Sequence, residues 1–286
     1  RILNAFSSEE GNRAWTLTSV YGTGKSALAH YLISLCANSK NKMHSQALSI
    51  AEEALGEESD ICQLIKQKIN TKGLIRAVAT GQREPISHTI VRALLIGANN
   101  FWTVAQRNKI SVIGKLVDLE TEINNGKLID SREIPELVLE VAKESKTGVL
   151  LVIDELGKNL EYASYYLGAE DLYLLQQLAE LPKDSKTPVY ILGILHQAFA
   201  GYSQRLAAVQ KNEWAKIQGR FEDIPFTESA GQMMKLISQA IDSSAAEAFS
   251  LAIHHNSQEW FDSLETVIVE EEVDLNAIKD VYPLHP

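Results

Sequence analysis

Scarcity sets the first limits on this chain. Of its 286 residues only two are cysteine, Cys36 and Cys62. A disulfide framework or a thiolate metal site needs more ligands at closer spacing. Both cysteines lie in apolar helical patterns, so they are read as buried thiols, a usage that fits a reducing cytoplasm. Seven prolines leave no proline-rich linker, and there is no repeat or low-complexity tract. No apolar run approaches the roughly 20 residues of a membrane helix, and no signal peptide is visible, so no membrane partner is expected. Basic residues are also short: 27 Lys and Arg stand against 37 Asp and Glu, a net charge of −10. That excludes a whole-surface attraction to nucleic acid and leaves only a local basic groove open. Arg76, Arg83 and Arg92 are the candidates for its border, but they are scattered, with no aromatic residues interleaved. Because the sequence opens at Arg1 and stops at Pro286, further segments are expected beyond it or missing within it.

What the sequence does have is alternation. "AWTLTSV", Ala14 to Val20, reads as a buried strand ending at a glycine-rich turn, and Leu28, Leu32, Ile33 and Cys36 then recur at helical spacing. Helices are expected around Ser45–Leu55 and Asp60–Ile69, and a second strand over Gly73–Gly81. A long, mostly helical stretch, about 82–146, follows as an insertion. "GVLLVIDE", Gly148 to Glu155, is an unbroken apolar run ending in two acids, the pattern of a central parallel strand covered on both faces. "AEDLYLLQQLAEL" is read as a helix, "TPVYILGILH" as another central strand, "NEWAKIQGRF" as a helix and "EDIPF" as a short last strand. Strands alternating with helices give an α/β fold with a parallel sheet. The expected domains are a core over 1–226 and a C-terminal helical lid, or the start of a next domain, over 227–286.

The chemistry starts at "SVYGTGKSALAHYL", Ser19 to Leu32. From Ser19 the run matches G-x-x-x-x-G-K-[ST] except at its first position, where Ser19 replaces glycine. Strand, loop and helix supply the context that pattern requires. A glycine-rich turn lets successive backbone N–H groups close around a phosphate, and the following helix adds its positive end. Tyr21, Gly22, Thr23, Gly24, Lys25, Ser26 and Ala27 form the expected phosphate cradle. Lys25 would reach the β- and γ-phosphates, and the Ser26 hydroxyl would ligate Mg²⁺. Ser19 is tolerable where the backbone does not need positive φ. The alternative for the loop alone is an ordinary strand-to-helix turn.

Asp154 and Glu155 supply the second half. An acid at the tip of a strand next to the phosphate loop holds Mg²⁺, here through a water, and Glu155 beside it is placed to polarise the attacking water. A bare Ile-Asp-Glu also occurs as a solvated strand end; the two motifs in this order carry the nucleotide reading. Asp154-Glu155-Leu156-Gly157 matches the D-x-x-G element of GTPases, but no N-K-x-D element follows, so ATP is the expected nucleotide. The Asp-Glu pair suits water activation better than small-molecule phosphorylation.

"IQGRFEDIPF" resembles the AAA+ family, whose GRF stretch places an arginine just before the last strand. The resemblance implies that Arg220 acts as an arginine finger on the nucleotide of a neighbouring subunit; the alternative is a surface arginine paired with Glu222 or Asp223. It also implies a sensor of the γ-phosphate at His196, at the end of a strand expected to neighbour the Asp154 strand, with Gln197 as a substitute, and a lid arginine for which no candidate stands out. "YGTGKSALA", "VIDELGKNLEYA", "LGILHQAF", "EWAKIQGRFEDIPF" and "YPLHP", in order, together look like the N-terminal ATPase module of large bacterial P-loop proteins that accompany phage-defence systems such as BREX and RADAR. That likeness, AAA+/STAND-like, implies a Mg²⁺-dependent ATPase that drives or gates an antiviral assembly, usually as a homo-oligomeric ring with a defence effector as possible partner. A nucleic-acid-stimulated motor or loader, and a nucleotide-binding organiser without turnover, remain as other readings. Trp15, Trp102, Trp214 and Trp260 are read as core residues, His254-His255 as a pair without further ligands, and Glu270–Asp274 as a solvated face.

Overall fold

A computed structural model describes residues 2–5, 11–68, 72–167, 170–184, 186–203, 206, 208–226, 256 and 259–263. The chain divides into two compact units, Arg1–Phe226 and Thr227–Pro286. The lid expected over 227–286, the His254-His255 pair and the acidic stretch lie outside the described residues, apart from a helical stretch at 259–263.

The first unit runs α1 (Ile2–Ala5), β1 (Ala14–Thr18), α2 (Lys25–Leu35), α3 (Lys42–Leu55), α4 (Asp60–Lys68), β2 (Ile75–Thr80), α5 (Ile86–Phe101), α6 (Val104–Arg107), α7 (Ser111–Asn124), α8 (Ile134–Ser145), β3 (Val149–Asp154), α9 (Gly157–Tyr162), α10 (Glu170–Ala179), β4 (Val189–Leu195), α11 (Phe199–Tyr202), α12 (Ala208–Gln218) and β5 (Glu222–Pro225). One turn of π-helix, Ala163–Leu167, extends α9. All five strands are parallel, in the order β2-β3-β4-β1-β5.

The unbroken apolar runs are central strands because both faces of the sheet are covered. In β3, Val149, Leu151 and Ile153 join the cluster that holds α5, α7, α8, α10 and α12. Leu150 and Val152 join Trp15, Leu17, Tyr190, Leu192 and α2 on the opposite face. Trp15, Trp102 and Trp214 are buried, as are Cys36 and Cys62; burial pushes the Cys36 thiol up to about 12. The short edge strand β5 is pinned by side chains as well as backbone. Thr16 and Thr18 both donate to Asp223 Oδ1, at 2.8 and 2.6 Å, and Trp15 Nε1 donates to Glu222 Oε2.

The strand order places a crevice. β1 leads into α2 on one face, whereas β4 leads into α11 and α12 on the other. Neighbouring parallel strands whose connections leave to opposite faces open a cleft at their carboxyl ends, where α/β proteins bind ligands. Here that cleft lies between β1 and β4, with the tip of β3 on the far side of β4.

At the opposite end, Gly148 opens β3 with φ 104°, and a Cβ there would lie 2.3 Å from the Pro188 carbonyl oxygen. Both the dihedral and the contact oppose any side chain. Gly148→Ala is expected to destabilise the fold by about 3 kcal/mol, read as a lower urea midpoint with an unchanged slope.

Candidate functional site

The turn after β1 places the glycine-rich loop over the crevice. Gly22 and Gly24 take left-handed φ values of 83 and 90°. Gly24 caps α2, and its carbonyl accepts from the Leu28 amide at 2.9 Å. The first amides of α2 have no intrahelical acceptor and point at the loop. Ser19 is not among the positive-φ residues, which outside glycine are Lys146 and Glu155 among the described residues. It needs no glycine, and its amide donates to Leu195 of β4. The departure from the motif at this position therefore leaves the loop geometry intact.

Lys25 is 8% exposed despite its charge. Its ammonium donates to the carbonyls of Ser19, at 2.8 Å, and Val20, so it hangs over the loop. Burial draws its pKa below the ordinary lysine value, against the opposing pull of Asp154. Next to it, Ser26 Oγ donates to Asp154 Oδ2 at 2.9 Å, joining positions 128 residues apart in sequence. β3 is not the immediate neighbour of β1; β4 lies between, and the loop reaches across it.

Glu155 follows Asp154 in a left-handed conformation, φ 55°. Its amide donates to Asp154 Oδ1 at 2.9 Å, and its carboxylate forms an ion pair with Lys158. The Leu156 amide then donates to Ile194 of β4, at 3.1 Å, which fixes the turn against the sheet. His196, directly after β4, stacks on Tyr21 with ring centroids 4.7 Å apart and meets Tyr202 edge-on at 5.8 Å. Residues Tyr21 to Ala27, Asp154, Glu155 and His196 line one cavity of about 280 Å³.

Arg220 is elsewhere. It precedes β5 at the amino end of the sheet, roughly 17 Å of strand away from the loop. Its Nε pairs with Glu180 Oε1 at 2.8 Å, so the carboxylate on it is neither Glu222 nor Asp223. Arg92 is also committed: it closes on Glu84 at 2.6 Å and donates to the Thr80 carbonyl.

Two groupings lie outside the sites read in the sequence, although the second carries a local signal there, three tyrosines within five residues at Tyr162, Tyr165 and Tyr166. Behind the Glu155 turn, the fully buried Asn159 donates to the Glu84 carbonyl and to Thr89 Oγ1, at 3.0 and 2.8 Å. Thr89 in turn donates to Glu84 Oε1 at 2.7 Å, so α9, α5 and the turn after β2 are tied together beneath the acid pair. The second is a group of tyrosines around Arg83, beside the loop cavity.

The oxygen donors fit a hard cation held jointly with phosphate. Ser26 Oγ and Asp154 already lie within hydrogen-bond distance of each other at the cavity. Among the described residues there is no group of three or more His, Cys, Asp or Glu that would make an all-protein metal cage, and Mg²⁺ does not require one. No described helix is long and apolar enough to cross a membrane. No protein-family model, no curated protein and no solved structure matches the chain.

Proposed function

We propose that the chain is a Mg²⁺-dependent ATPase module that works in a homo-oligomeric ring and gates a larger antiviral assembly. The observation that carries the ATPase reading is the Ser26–Asp154 hydrogen bond. It brings the two halves of a nucleotide-hydrolysis motif, read separately in the sequence, to one cavity. Amides of residues 21–27 hold phosphate oxygens, and Lys25 exchanges its loop carbonyls for the β- and γ-phosphates. Ser26 and Asp154 hold Mg²⁺, which when bound supplies positive charge to the phosphoryl group. Glu155 takes the proton of the attacking water. His196 donates to the terminal phosphate from the end of β4. The antiviral role rests on the sequence likeness alone.

The ring rests on Arg220. An arginine at the amino end of the sheet serves a nucleotide at the carboxyl end only if that nucleotide belongs to another copy. Arg220→Ala is expected to lower turnover at least a hundredfold while ATP still binds, given the roughly 10³–10⁵-fold contribution of such arginines. Mixing Arg220→Ala with Glu155→Gln subunits should restore part of the activity, because the former keeps its own site and the latter keeps its arginine. Turnover measured with light scattering on the full chain decides. A protein that stays monomeric with ATP, or mixtures no more active than either variant alone, would sink the arrangement in trans.

A further inference from the structure

Beside the loop cavity lies a second one of about 460 Å³, whose lining includes Arg83, Glu161, Tyr162, Tyr165, Tyr166 and Gln197. Apart from Gln197, the substitute sensor, the nucleotide reading uses none of these residues. Its volume falls within the roughly 300–1,000 Å³ of small-ligand pockets. The turn after β4 divides the two cavities: His196 faces one and Gln197 the other.

The lining is unusual for a chain with 7% aromatic residues. The wide turn at Ala163–Leu167 presents its tyrosines together. Tyr162 and Tyr166 have ring centroids 4.8 Å apart, and Tyr165 and Tyr166 6.2 Å. Tyr166 is 74% exposed and Tyr165 58%, where large aromatics ordinarily bury their rings. Arg83 stands at the rim with its side chain 80% exposed, and its only carboxylate partner among the described residues is Glu161 at 3.5 Å. An ion pair that long and that exposed holds the guanidinium weakly. The fold thus supplies around Arg83 the aromatic interleaving that the sequence around it lacks.

We infer that this cavity binds an unpaired nucleobase with its phosphate, the base stacked on Tyr165 and Tyr166 and the phosphate on Arg83. Exposed aromatic faces beside a cation are the means by which proteins take up bases without reading their sequence. Their number favours a base over a peptide: stacked rings offer a flat π-face, and the cavity has room for one residue, not for an extended interface of standard size. The net charge of −10 does not oppose this, because the contact is local and the site carries its own cation. The base belongs either to a free mononucleotide or to a single strand of DNA or RNA.

Fluorescein-labelled dT20 and rU20 titrated with the full chain test the assignment by anisotropy, with Mg²⁺ and a non-hydrolysable ATP analogue saturating the loop cavity. Binding is expected to persist under that saturation, to weaken about tenfold or more in the Tyr165→Ala/Tyr166→Ala double variant, and to lose part of its salt dependence in Arg83→Ala. All three positions are exposed, and an unchanged melting temperature and ATP affinity certify each variant as folded. Displacement of the strand by uridine monophosphate assigns the site to free nucleotides; affinity that rises with strand length and resists the monophosphate assigns it to single strands. No binding of strand or monophosphate up to about 100 μM, the weak end of non-specific strand binding, overturns the inference. So does displacement of the strand by the ATP analogue, or equal binding by the double variant.

Discussion

Lys25→Ala is expected to lower the affinity for Mg²⁺-ATP about a hundredfold and to abolish turnover at cellular ATP levels. The lysine sits where the fold makes its charge most effective. It opens α2, is nearly buried, and holds its ammonium over the loop on the carbonyls of Ser19 and Val20. Burial has already removed water from the ammonium and depressed its pKa, so exchanging carbonyl oxygens for phosphate oxygens is nearly free of further desolvation. Hydrogen bonds to charged groups are worth about 1.5–3 kcal/mol, and a hundredfold corresponds to about 2.7 kcal/mol. The same carbonyl contacts give the residue a structural share, so the variant must be read with a melting curve. A fall of a few degrees with binding lost is expected. Unchanged ATP affinity in a folded Lys25→Ala protein would mean that the loop binds no phosphate, whatever its shape. Lys25→Arg separates charge from fit: a planar guanidinium cannot lie over the same two carbonyls, so affinity should recover only in part.

The strands were legible because burial on both faces leaves an unbroken apolar run, as in Val149 to Ile153, and among the described residues no exposed element imitates it. The loop was legible because glycine, lysine and serine do their work within a few residues of one another. Strand order was legible in part: β4 does neighbour β3, as expected, but nothing local in β1 or β3 says that β4 also lies between them. The partner of Arg220 was missed for the same reason: Glu180 is 40 positions away in sequence, while Glu222 and Asp223 are adjacent. Asn159 shows the limit most plainly. Its amide holds α9 to α5 and to the turn after β2, yet in "ELGKNLEYA" it reads as one polar residue on a helix. Contacts over long sequence separations leave no period and no motif behind. The Asn159 network is of that kind, as is the approach of Arg83 to Glu161, whereas Tyr162, Tyr165 and Tyr166 lie close together in sequence and only their exposure was hidden.

Glu155→Gln is expected to lower turnover by at least a hundredfold, within the roughly 10²–10⁴ that a general base contributes, while ATP affinity stays within about threefold. The substitution is nearly isosteric, so it keeps the left-handed backbone at φ 55° and the amide donation to Asp154; the negative charge is lost, and with it the capacity to accept a proton and the ion pair with Lys158. That backbone is itself informative. A non-glycine residue in this region costs about 1 kcal/mol or more, and here the Leu156 amide on β4 and the Asn159 network beneath hold it in place. The rival account is that Glu155 serves its ion pair with Lys158. An exposed pair of this kind is worth at most about 1 kcal/mol, and it predicts that Lys158→Ala and Glu155→Gln behave alike. If Glu155 is the base, they part: Lys158→Ala frees the carboxylate and leaves turnover equal or higher, while Glu155→Gln removes it. Equal loss in both variants would make the pair a structural clasp. Retained turnover in Glu155→Gln would move the proton transfer to another group and leave the strained turn without its function.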